Sequence, residues 1–82
     1  MTATITFYTR VQCPLCVEAK TVLTELQKET SFTIEEINIA DSDHLTEKYG
    51  LKIPVIEING REVQYGKIDQ FTILNYLNQH NQ

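Results

Sequence analysis

The chain has 82 residues, 41% of them hydrophobic and 22% charged, and a formal net charge of −4. That length supplies one hydrophobic core, so a single domain over residues 1–82 is expected, with the modest stability of a small protein. The acidic balance speaks against nucleic acid and anionic membrane surfaces as partners, since both demand a basic face, and no apolar run approaches the roughly 20 residues of a membrane-spanning helix.

The first element is a strand over Thr4–Thr9, a run of β-branched and aromatic residues. A loop from Arg10 to Gln12 leads to Pro14, which suits the first turn of a helix because the N–H it lacks would be unpaired there anyway. Cys16, Ala19, Leu23 and Leu26 recur at spacings of three and four and predict one apolar stripe along that helix. Phe32–Ile39 is read as a second strand on the strength of Ile34, Ile37 and Ile39.

Asp41 or Ser42 then caps a short helix through Leu45 and Tyr49, which Gly50 is expected to end in the left-handed conformation. Val55–Ile58 and Arg61–Tyr65 are strands joined by Asn59-Gly60, a strong hairpin turn. Asp69 reads as the N-cap of a last helix, with Ile68 and Ile73 as a hydrophobic staple and Phe71, Leu74 and Leu77 on the buried face, Ile73 close to it. The Asn- and Gln-rich end, Asn78–Gln82, reads as a fraying helix terminus. The order β-α-β-α-β-β-α favours a right-handed parallel crossover followed by an antiparallel hairpin, hence a three-layer α/β/α sandwich around a four-stranded mixed sheet.

The chemistry sits in Cys13-Pro14-Leu15-Cys16. This pair holds the only cysteines of the chain, placed just after a strand and on the first turn of a helix. Unpaired N–H groups and the helix dipole favour negative charge there, which raises the thiolate fraction of a thiol. Cys13 is expected at or beside the N-cap and exposed, and Cys16 one turn inside and more buried. The asymmetry suggests a division of labour: Cys13 attacks a substrate disulfide, and Cys16 displaces the reduced product from the mixed disulfide.

The first strand offers Ile5, Phe7 and Tyr8 and no acid to deprotonate Cys16, so no general base is assigned. Glu18 and Lys20 read as solvated helix charges. A structural zinc site wants four ligands, and only His44 and His80 remain, in different elements and without finger spacing, so no metal is expected. The opening Met1–Phe7 shows no basic region followed by an apolar stretch, so no signal peptide is read there. The expected compartment is the cytoplasm, where a cysteine pair is catalytic or metal-binding more often than a permanent staple.

The segments Phe7-Tyr8-Thr9-Arg10, Cys13-Pro14-Leu15-Cys16, Ile53-Pro54-Val55 and Asn59-Gly60 together resemble glutaredoxins, and more closely the small glutaredoxin-like family of the thioredoxin superfamily. The resemblance implies the thioredoxin-like fold and thiol–disulfide exchange. It implies a cis peptide bond before Pro54, facing the cysteines, with Ile53 offering its backbone to a substrate chain. It also implies that Arg10 contacts a glutathione carboxylate, a residue that by itself reads equally as a solvated loop charge.

Two departures stand out. Leu15 occupies the place of an aromatic residue between the cysteines, and Gln64-Tyr65-Gly66-Lys67 replaces the glycine pair and acid that precede the last helix in glutaredoxins. The N–H groups after Asp69 are read as open to an anion, although Asp69 itself would repel one.

Cys13 and Cys16 are thus the candidate catalytic residues, and Arg10, Pro14, Leu15, Ile53 and Pro54 the candidate substrate contacts. No tightly bound cofactor is expected. Glutathione or a reductase is the candidate electron donor, protein or glutathione-mixed disulfides are the candidate substrates, and a monomer is the expected unit. A domain bridging a [2Fe–2S] cluster between two copies, and a peptide-binding adaptor without exchange activity, are the alternatives. His44 and His80 read as surface residues, Tyr49 and Leu51 as packing residues, and Phe7 and Phe71 as core. Tyr8 and Tyr65 are not assigned to the groove around the cysteines.

Overall fold

Strand β1, Ala3–Thr9, is central, and its period-two alternation decides which layer each helix joins. The computed structural model describes residues 3–80. It pairs β1 with Phe32–Asn38 (β2) on one side and Val55–Ile58 (β3) on the other, and Arg61–Tyr65 (β4) completes a four-stranded sheet in the order β2-β1-β3-β4. β1 and β2 are parallel, with Ile5 opposite Ile34; β1 and β3 are antiparallel, with Phe7 opposite Ile56. The helices are Pro14–Leu26 (α1), Asp43–Tyr49 (α2) and Gln70–His80 (α3). The element order and mixed sheet are those the sequence predicts.

One face of β1 sends Ala3, Ile5 and Phe7 into the main core, where they meet Cys16, Ala19, Leu23 and Leu26 of α1, Ile56 and Ile58 of β3, and Ile73 and Leu77 of α3. The other face carries a smaller cluster of Ile39, Tyr49 and Val55, with Tyr8, Leu45 and Ile53 packed against it. Helices α1 and α3 therefore share one layer and α2 forms the other. Among the described residues no helix is long and apolar enough to cross a membrane.

The β3–β4 turn has both central residues in the left-handed region, Asn59 at φ 52° and Gly60 at φ 86°, as a tight hairpin turn that matches strand twist requires. Asn59 also ties the hairpin to β1: its N–H donates to the Thr4 carbonyl at 2.9 Å, and its Oδ1 accepts the Thr4 N–H at 3.0 Å. At α3 the staple forms as expected, with Ile68 and Ile73 both buried, and Asp69 accepts the Thr72 N–H at 3.2 Å.

Several local expectations are corrected. Gly50 is right-handed (φ −55°), so a positive φ is not why glycine stands there; a Cβ at that position would overlap the Thr46 carbonyl oxygen, which accepts the Gly50 N–H. Strand β2 ends at Asn38, because the Asn38 side chain accepts the Ala40 N–H and starts a short 3-10 turn at Ile39–Asp41. The cap of α2 is Ser42, whose hydroxyl accepts the Leu45 N–H.

Phe71, expected in the core, and Leu51, expected to pack, are both exposed. Ile73 and Leu77, four apart, define the buried face of α3, and Phe71 lies two residues before Ile73, about 200° round the helix. His44 is exposed. The expectation of a surface His80 side chain lies outside the described residues, as does the part of the expected fraying terminus that falls on Asn81 and Gln82.

Leu23 and Phe71 should therefore separate in equilibrium denaturation. Leu23→Ala is expected to cost about 2–5 kcal/mol, the range for a fully buried leucine, whereas Phe71→Ala should stay within about 0.5 kcal/mol of the parent. A large loss at Phe71 would place α3 in a different rotation.

Candidate active site

At the carboxyl end of β1 the chain must reverse within three residues to enter α1, and it does so through Gln12, a non-glycine residue at φ 58°. Cys13 follows as the N-cap of α1, extended at φ −121°, ψ 101°. Its carbonyl accepts the N–H groups of Cys16 (3.0 Å) and Val17 (3.1 Å), and its Sγ accepts the Cys16 N–H at 3.2 Å. A sulfur thus occupies the place where a serine or aspartate oxygen usually caps a helix. Pro14 fills the first helical position without leaving an orphan donor.

Cys13 is half-buried and Cys16 is 3% exposed. The two sulfurs are joined as a disulfide, with Cα atoms 5.2 Å apart, inside the usual range for such a bridge.

The peptide bond before Pro54 is cis. Register places it: Tyr8 of β1 faces Val55, so Pro54 lies one residue further toward the end of the sheet from which the Arg10–Gln12 loop departs. Pro54 is buried, and its carbonyl accepts the Gly66 N–H at 2.8 Å, which closes this end of the β3–β4 hairpin. Ile53 is less available than its place beside Pro54 implies. Its N–H donates to the Tyr49 carbonyl at 3.1 Å, so its carbonyl is the backbone group left for a partner.

On the β2 side, a cleft of about 260 Å³ touches both cysteines and is lined by Arg10, Val11, Lys20 and Glu36 among others. Lys20, a solvated helix charge as expected, pairs with Glu36 across it at 3.2 Å. Pro14 and Leu15 are exposed at the first turn of α1 and lie outside the lining of this cleft. Sequence reasoning overlooks Val11 and Val17, which flank Cys13 and are 71% and 68% exposed. Apolar residues close to a cysteine pair and off the helical stripe are the signal that could find them.

Beneath Ile53–Pro54 stands a polar buttress. Tyr8 Oη donates to Glu57 Oε1 at 3.2 Å and Tyr49 Oη to Glu57 Oε2 at 2.8 Å, with ring centroids 4.6 Å apart. Tyr49 ends α2 and Glu57 belongs to β3, so the pair of bonds clamps the segment that carries Pro54 at both ends. Both phenols are pushed up to about 12, first by burial and then by the Glu57 carboxylate that accepts their hydrogen bonds.

At the start of α3, Asp69 accepts N–H groups from Phe71 (3.4 Å) and Thr72 (3.2 Å), and the Thr72 hydroxyl at 2.7 Å. The Thr72 hydroxyl is the main reason its carboxyl lies below the ordinary value. Those N–H groups are therefore engaged, contrary to the expectation that they stand open to an anion.

A family model described as Glutaredoxin-like domain (DUF836) matches residues 4–78. Among solved structures, protein Ne2328 from Nitrosomonas europaea superposes with a TM-score of 0.81 at 32% identity, over 93% of this chain and 92% of that one. Target protein XcR50 from X. campestris gives a TM-score of 0.75 at 29% identity, over 92% and 96% of the two chains. A mutant thioredoxin from Halobacterium salinarum NRC-1 gives 0.75 at 16% identity, over 98% and 75%, a likeness of fold alone.

The buttress makes a prediction at high pH. A phenol whose folded value is raised favours the protonated, folded state; that contribution is whole below about 10 and is lost as pH rises through about 12. In an alkaline absorbance titration Tyr8 and Tyr49 should ionise near pH 12, together with unfolding. Tyr49→Phe should remove one equivalent from that phase. A single transition near pH 10 that takes in every tyrosine would refute the buttress.

Proposed function

The chain belongs to the glutaredoxin-like domain (DUF836) family, and from that premise we propose that it is a thiol–disulfide oxidoreductase that reduces disulfides through Cys13 as nucleophile and Cys16 as resolving thiol. The observation that carries the reading is the stacking of the pair on one helical turn. Cys13 caps α1 half-exposed, with the Cys16 N–H aimed at its sulfur at 3.2 Å, and Cys16 is buried a turn below.

The helix end does two things for the chemistry. Its N–H groups and dipole favour a thiolate at Cys13 over a thiol, and the fixed separation of the pair makes resolution intramolecular. The Cys13 thiolate attacks one sulfur of the substrate disulfide; a Cys13–substrate disulfide forms and the other substrate sulfur leaves as a thiolate. Cys16, on losing its proton, attacks Cys13 Sγ; the Cys13–Cys16 bond forms and the second substrate thiolate leaves. Two electrons pass from the dithiol to the substrate, the leaving thiolates take up protons, and an external thiol reductant restores the pair.

The substrate class in this reading is a disulfide-bearing protein or a glutathione-mixed disulfide, and the donor glutathione or a dithiol reductase. The working unit is a monomer in the cytoplasm. Pro54, at the same end of the sheet as the pair, is read as a substrate contact, with the carbonyl of Ile53 as the backbone acceptor for a bound chain.

The two cysteines should behave differently when replaced. Cys13→Ser is expected to abolish disulfide reduction, by a factor of about 10³ or more, the scale set by loss of a nucleophile. Cys16→Ser should instead stop after the first step and accumulate a mixed disulfide, visible as one added substrate mass per chain by intact-mass spectrometry. Trapping by Cys13→Ser and not by Cys16→Ser would reverse the roles. Full partner binding with no mixed disulfide in either variant would favour a non-catalytic adaptor.

A further inference from the structure

We propose that the sulfur partner of Cys13 is a cysteine in a polypeptide, flanked by apolar side chains, and that glutathione is a poor partner. The inference rests on the reading that this pair exchanges disulfides, and it specifies with what.

Glutathione is a small, strongly hydrated tripeptide with two carboxylates and one ammonium, so a site that prefers it must offer more than one seat for an anion. Most of the obvious seats at this end of the sheet, Arg10 excepted, are engaged by the chain itself. β4 ends at Tyr65, opposite Val55, so α3 begins at the same end as Cys13. Its positive terminus is occupied by Asp69, which accepts from the Phe71 and Thr72 N–H groups and the Thr72 hydroxyl, while the Asp69 carbonyl accepts the Ile73 N–H at 3.3 Å. The Asp69 charge also opposes an incoming carboxylate. Lys20 is held by Glu36 at 3.2 Å, and the Ile53 N–H is held by the Tyr49 carbonyl. Among the described residues lining the cleft, Arg10 is the cation that forms no ion pair.

Around the thiol, beside the exposed Arg10, Gln12 and Glu18, three apolar side chains also face solvent. Val11, Leu15 and Val17 are 71%, 40% and 68% exposed, each within four residues of Cys13. A mixed disulfide holds its partner within two side chains' reach of Cys13, and Val11 and Val17 line the same cleft as Cys13, so whatever supplies the sulfur lies over those two. A charged tripeptide leaves them wet. A polypeptide with apolar neighbours to its cysteine covers them, and burial of such area is the non-directional gain that association draws on.

The test uses the reduced full-length protein and follows the rate of mixed-disulfide formation in Cys16→Ser by quenched mass spectrometry. Three probes are compared: oxidised glutathione, a disulfide-linked dimer of a short peptide with Cys between Val and Leu, and the same dimer with Cys between Glu and Ser. The apolar peptide should react about tenfold faster than oxidised glutathione, on the scale of partly burying one or two aliphatic side chains. Val11→Gln with Val17→Gln should shrink that preference to about twofold. Asp69→Ser keeps an oxygen at the cap and removes the charge, and should raise the oxidised-glutathione rate severalfold.

Equal or faster reaction with oxidised glutathione overturns the inference and leaves the oxidoreductase reading standing. So does equal reaction of the two peptides. Failure of all three probes to form a mixed disulfide overturns the oxidoreductase reading as well.

Discussion

The first turn of α1 has to satisfy its orphan N–H groups and also hold two sulfurs within bonding distance, and one residue, Cys13, meets both demands. Its carbonyl and Sγ accept from Cys16 and Val17, which fixes the relation between the two cysteines before any substrate arrives. The turn is seated by what lies below it. Cys16, Ala19, Leu23 and Leu26 form the stripe that packs on Ala3, Ile5 and Phe7, so the burial that folds the domain also buries Cys16. Loosening that stripe would uncover Cys16, with no change to either cysteine.

The other structural elements converge on the same end of the sheet. β1 delivers the Arg10–Gln12 loop, β3 begins with Pro54 just before it, and β4 leads through Gly66 to the cap of α3. Polar groups there are mostly satisfied within the chain: Asp69 caps α3, Glu36 holds Lys20, and Glu57 holds Tyr8 and Tyr49. The exposed side chains around Cys13 are mixed: Val11, Leu15 and Val17 are apolar, and Arg10, Gln12 and Glu18 stand among them. Charge at this end is largely paired within the chain, while Val11, Leu15 and Val17 face outward.

Much of this is legible in the sequence because the signals are local. The Asn59-Gly60 turn follows from a conformation few other residue pairs adopt, the α1 stripe from helical spacing, and the cysteine pair from its place between a strand and a helix start. Legibility fails where the deciding partner is distant or where two periods compete. Phe71, Leu74 and Leu77 form a plausible i, i+3 series, yet Ile73, Leu74 and Leu77 meet the core while Phe71 is exposed, and only docking against the sheet selects that rotation. Gly50 invites a reading from its φ, whereas close approach to Thr46 requires it. That the Ile53 N–H belongs to Tyr49, and that Lys20 reaches Glu36 on β2, depend on how α2 ends and how β2 registers on β1, which no spacing within either segment encodes.

Equilibrium titration of the Cys13–Cys16 pair in dithiothreitol redox buffers, followed by thiol alkylation and intact mass, is the most direct measurement of whether the pair works as a redox centre. A reversible two-electron couple is expected, with a potential between about −270 and −120 mV, the span of thioredoxin-fold redox proteins, and the same curve from the reducing and oxidising directions. A disulfide that stays oxidised well below about −300 mV, in the range of structural bridges, or thiols that never re-form the bond, would contradict an exchange function for this site.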